Sequence, residues 1–118
     1  MTYVQGFVAA VPQENKADFI THAKAAAEIF MELGALSVRE NWEVDVPDGE
    51  HTSFPMAVKR AEGEAIVFSW ITWPDQATAH ACMEKMMSDP QMEARMGEMP
   101  FDGKRMIYGG FETVFEQD

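Results

Sequence analysis

Phe101-Asp102-Gly103-Lys104-Arg105-Met106-Ile107-Tyr108-Gly109-Gly110-Phe111-Glu112-Thr113-Val114-Phe115 is the stretch that decides the fold. Asp102-Gly103 reads as a sharp turn, because glycine tolerates backbone angles that other residues avoid. An apolar and aromatic strand follows. One face carries Met106, Tyr108, Gly110 and Val114, the other Ile107, Gly109, Phe111 and Phe115. Only Glu112 and Thr113 interrupt it. A strand apolar on both faces has to be covered on both.

The same demand recurs upstream. Ala65 to Trp73 (Ala-Ile-Val-Phe-Ser-Trp-Ile-Thr-Trp) is apolar on both sides, which predicts a central strand. Pro74-Asp75 ends it and opens a helix from Asp75 to about Ser88, with Ala79, Met83, Met86 and Met87 as its apolar stripe. Asp89-Pro90 reads as N-cap and first residue of a further short helix carrying Met92 and Met96, closed by Pro100. Tyr3 to Val11 forms a first strand stopped by Pro12, and Gly6 within it predicts a close approach by another backbone or a bulky ring. Asn15 is the expected N-cap of a helix whose face is Phe19, Ala23, Ala26, Ala27, Phe30 and Leu33, and Gly34 its stop. Leu36 to Val46 alternates. Leu36, Val38, Trp42, Val44 and Val46 share one side, and Glu40 sits on that side out of pattern. Pro47-Asp48-Gly49 leads into a long connection to about Glu64, read either as a lid or as a packed excursion over a sheet edge.

Strand, helix, strand, strand, helix, strand is the βαββαβ order of α+β ferredoxin-like folds with a four-stranded antiparallel sheet. Helices on one face leave the other bare. Two such faces meeting give a homodimer through the sheet faces, a dimeric α/β barrel.

The 118 residues predict a single domain, 1–118. Twenty acidic side chains against nine Lys and Arg give a net charge of -11. That balance predicts neither nucleic-acid nor membrane partners. Cys82 is the only cysteine, which excludes an intrachain disulfide and suits a reducing cytoplasm. No basic residue precedes Lys16 and no long apolar run follows, so neither a signal peptide nor a membrane span is expected.

Little in the motifs points to metal or cofactor chemistry, and none of either is expected. His22, His51 and His80 are far apart, and His80 and Cys82 project from opposite sides of a helix. The methionine cluster has core-stripe spacing rather than that of a Cu(I) site. Trp42, Trp70 and Trp73 either line a pocket for a flat ligand or form an aromatic core. Gly109-Gly110-Phe111 is similar to a segment of the RNA-recognition motif. It falls on the last strand rather than the third, however, with Glu112 and Thr113 where an aromatic and a valine are needed, and the net charge opposes the reading.

Three segments carry a family resemblance: Glu40-Asn41-Trp42-Glu43-Val44-Asp45-Val46-Pro47-Asp48-Gly49, Val67-Phe68-Ser69-Trp70-Ile71-Thr72-Trp73-Pro74 and Met99 through Phe111. They resemble the YbaA-like bacterial family, domain of unknown function 1428. The resemblance implies a ferredoxin-like dimeric α/β barrel and carries over no catalytic residue. Asn41 stands where the family pattern has cysteine. The wider barrel group includes cofactor-free oxygenases, haem-degrading enzymes and stress-response proteins, an analogy of fold alone.

Two functions stay open. One is a small-molecule binder or enzyme with a pocket between sheet and helices; the other is a non-catalytic stress or interaction dimer. Glu40 bears on the choice. A carboxylate on an apolar face loses hydration and its pKa rises unless a cation or donors compensate. The expected site is Glu40, the one catalytic candidate, with Trp42, Trp70, Tyr108 and Arg105 as ligand-binding neighbours. Arg105, Lys104 and Tyr108 are the possible compensators. The alternative is a buried salt bridge, or a bulge that turns Glu40 outward.

Overall fold

The computed structural model describes residues 2–118. Four strands form one antiparallel sheet: β1 (Tyr3–Pro12), β2 (Ser37–Trp42), β3 (Glu64–Trp73) and β4 (Ile107–Glu112), in the order β2-β3-β1-β4. Helices α1 (Lys16–Glu32), α2 (Phe54–Ala57), α3 (Gln76–Ser88) and α4 (Pro90–Met96) complete the chain. This is the ferredoxin-like arrangement. The doubly apolar β3 lies inside the sheet between β2 and β1, as its pattern requires.

Register assigns the faces. Glu40 pairs with Ser69, Ser69 with Phe7, and Phe7 with Tyr108, so all four share one side. That side meets the helices. Phe19 of α1 is buried with Ala9, Val11 and Val67, while Ala79 and Cys82 of α3 pack with Ile71 and Trp73. Cys82, Met83 and Met86 complete the α3 stripe. Met87 instead faces out, 89% exposed, at the margin of the stripe in the last turn of α3.

The opposite face is partly covered by the 47–63 connection. Val58 is fully buried with Val8, Ala10 and Ile66. The connection thus packs on the sheet face rather than over its edge. Arg60 holds it in place by binding Glu43 at 2.8 Å and Asp48 at 3.0 Å. Beyond it the face stays open. Phe68 and Trp70 meet at 5.4 Å, and Phe111 lays its ring over Gly6, the close approach that this glycine predicted.

Three local expectations change. β2 ends at Trp42 rather than Val46: Glu43 N–H still reaches Ile66 O at 2.8 Å, then the chain departs toward Arg60. Asn15 holds the N-cap position of α1, but its side chain makes no capping hydrogen bond. A 3-10 turn over Gln13–Asn15 precedes the helix, and the Asn15 amide donates to Pro100 O at 2.9 Å. β4 spans six residues and is an edge strand uncovered within the chain, with Tyr108 75% and Phe111 62% exposed. The remaining boundaries follow their caps. Asp75 accepts from Thr78 N–H at 2.7 Å, Asp89 accepts from Gln91 N–H at 2.9 Å, and Gly34 leaves α1 with φ of 108°.

Candidate functional site

Between the helix-covered face and α1 lies a cavity of about 120 Å³. Its walls are mostly apolar and include Phe7, Phe19, Phe30, Val67 and Ile71, with Met96, Met99, Phe101 and Met106 closing one end. Three polar side chains reach it: Glu40, Ser69 and His22. The cross-strand pairing of β2 and β3 makes Glu40 and Ser69 direct neighbours on this face. The Ser69 hydroxyl donates to Glu40 Oε2. His22 comes from the second turn of α1 and bonds through Nδ1 to Met96 O at 3.0 Å. A carbonyl only accepts, so Nδ1 is the donor in this bond.

Glu40 is on an edge strand, and the residue as a whole remains open to solvent. Its carboxyl end turns in against Ser69, and ionisation depends on that end. Burial pushes its pKa above the ordinary glutamate value; the Ser69 hydrogen bond and the His22 ring pull in the other direction. Among the described residues no cation forms a salt bridge with it.

The five expected residues separate. Glu40 and Trp42 lie together on the helix side of β2, with Trp42 5.9 Å from Phe19. Tyr108 shares the face, but Ser69 and Phe7 stand between it and Glu40, which places it roughly 14 Å away across three strand spacings. It stacks on Phe7 at 6.5 Å. Trp70 is on the opposite face beside Phe68. Arg105 is engaged elsewhere, with both terminal nitrogens on the Glu64 carboxylate at 2.8 Å and Nε on Asp102 at 3.0 Å. These contacts hold Glu64 below the usual glutamate range. Sequence reading missed Ser69 and His22. The signal for Ser69 was a lone hydroxyl on the inward face of an apolar strand. For His22 it was a position one residue before Ala23 in the apolar stripe of α1.

A groove of about 340 Å³ between α1 and β2 shares Phe19, Ala23 and Glu40 with the cavity. Its other walls are Lys16, Ile20, Lys24, Ala27, Val38 and Trp42. Lys16 Nζ sits 5.3 Å from the centroid of the Trp42 ring. No cluster of three metal-ligating side chains occurs among the described residues, and no helix among them is long and apolar enough to cross a membrane.

Sheet order and the packing of α1 and α3 on one face define an α+β ferredoxin-like protein. A crystal structure of a dimeric ferredoxin-like protein from an uncultured marine organism has the same fold, with a TM-score of 0.58, 11% identity and 98% of each chain covered. The chain belongs to the family described as Protein of unknown function (DUF1428), whose model matches residues 2–103. It is similar to the uncharacterized protein YbaA of Escherichia coli K12 and to that of Shigella flexneri. Each is 52% identical over 117 residues, which is 99% of this chain and 100% of the relative.

Proposed function

We propose that this protein binds a small molecule in the cavity between sheet and helices and moves a proton on it, with Glu40 as general acid or base. The observation that carries the reading is the Glu40–Ser69 pair set into an apolar cavity, with a pKa raised by burial and no salt-bridge partner among the described residues. A carboxylate tuned upward holds and releases a proton closer to neutral pH than an exposed one. Ser69 orients the carboxylate. His22, fixed by Met96 O, lines the same cavity. Trp42 walls the outer groove. A volume of about 120 Å³ admits a ligand near the size of benzene.

The same reading takes the chain as a homodimer through its open sheet faces. Phe68, Trp70, Ile107 and Phe111 leave an apolar surface there that water covers poorly. The solved structure of like fold is itself described as dimeric.

Methionine methyl NMR tests the cavity reading directly. With phenol as the probe, Met96, Met99 and Met106 should shift, while the exposed Met31, Met56 and Met87 serve as internal controls. Glu40→Gln should weaken phenol binding and leave the chain folded. Uniform small shifts at all methionines, or identical titrations of both proteins, would refute the assignment.

A further inference from the structure

The groove outside the cavity is charged differently from the rest of the molecule. Only nine Lys and Arg occur in a chain of net charge -11, yet two of them, Lys16 and Lys24, line this one groove. Lys16, Ile20, Ala23, Lys24 and Ala27 fall along one stripe of α1, facing Val38, Glu40 and Trp42 of β2. The two lysines are about 12 Å apart along the helix axis, and each carries its charge on a flexible four-carbon stem. Trp42 holds the Lys16 ammonium over its ring. No carboxylate is paired with either lysine among the described residues, as also for Arg39, Lys59, Lys85 and Lys104, whereas Arg60, Arg95 and Arg105 are paired.

Inside, the requirement is the reverse. The cavity presents the Glu40 carboxyl, a hydrogen-bond acceptor when ionised, within apolar walls. An anion placed there would face a carboxylate with little solvent between them. A neutral group that donates a hydrogen bond fits. Cavity and groove share Phe19, Ala23 and Glu40, so one molecule can occupy both.

From this polarity we infer the ligand class: a small amphiphilic acid whose neutral, hydroxyl-bearing apolar end enters the cavity and whose carboxylate remains in the groove with Lys16 and Lys24. The inference rests on the cavity reading above and adds the charge and orientation of the ligand. Glu40 accepts the hydroxyl proton bond, and the lysines select against amines and in favour of acids.

Four probes separate the terms: phenol, phenylacetate, 4-hydroxyphenylacetate and tyramine, titrated into the full chain at low ionic strength. 4-Hydroxyphenylacetate should bind about fivefold tighter than phenol, a factor expected of solvent-exposed ion pairing. That advantage should shrink with added salt. Tyramine should bind more weakly than phenol. The double variant Lys16→Gln, Lys24→Gln should bring the ratio of hydroxyphenylacetate to phenol affinity close to one. Glu40→Gln should narrow the gap between hydroxyphenylacetate and phenylacetate. Tyramine binding as well as the acid, or a ratio unchanged in the double variant, overturns the inference. Phenol binding without any gain from the carboxylate overturns it too, while leaving the cavity reading standing. Failure of every probe to move the cavity methionines overturns both.

Discussion

Replacing Glu40 by glutamine distinguishes a tuned carboxylate from a structural ion pair. The substitution preserves shape and leaves an amide oxygen able to accept from Ser69. It exchanges a charge-assisted hydrogen bond for a neutral one, a loss of about 1 kcal/mol. It also removes a carboxylate whose charged form burial disfavours, and this gain offsets the loss. No cation is left behind, because none is paired with Glu40 among the described residues. The net change at neutral pH should therefore stay within about 1 kcal/mol, or about 4 °C in Tm for a chain of this length. The pH dependence has a fixed sign. The folded-state pKa lies above the unfolded one, so Glu40 favours the fold while protonated, and that contribution fades as pH rises through the folded value. Stability of the variant relative to wild type should therefore increase from acid toward neutral pH, starting near the ordinary value of 4.5. Thermal unfolding followed by circular dichroism across that range measures it. Breaking a buried ion pair would instead lower stability by about 3–5 kcal/mol at neutral pH, more than 10 °C in Tm. A fall of that size, or a relative stability that declines with rising pH, refutes the account of Glu40.

The open sheet face should hold two chains together: light scattering should give twice the 13.3 kDa chain mass, and Phe111→Glu should yield a folded monomer. A wild-type monomer would remove that proposal. Arg105→Gln should lower Tm at neutral pH. Because its contacts depress the Glu64 pKa, the deficit should shrink as pH falls below 4.5, where wild type loses the same stabilisation; a deficit constant with pH would contradict it. Cys82 is buried and its thiol is pushed up to about 11, so a disulfide reagent at pH 8 should label it only after unfolding. Prompt labelling of the native chain would show that α3 opens readily.

Sequence by itself determined the element order, the central place of β3, the start of α3 at Asp75 and the cap at Asp89, because these follow from local propensity and the two-residue period of a strand. It also marked Glu40 as a carboxylate on an apolar face, since alternation along β2 needs no partner strand to be read. Tertiary structure decided what Glu40 meets. Its neighbour is set by β2–β3 register, which selects Ser69, and by the docking of α1, which brings His22 across from another part of the chain. The same register removes Trp70 to the far face, and the turn at Asp102 engages Arg105 with Glu64. Periodicity assigns a side chain to a face; only the pairing of strands and the packing of helices determine which side chains from distant segments share a cavity.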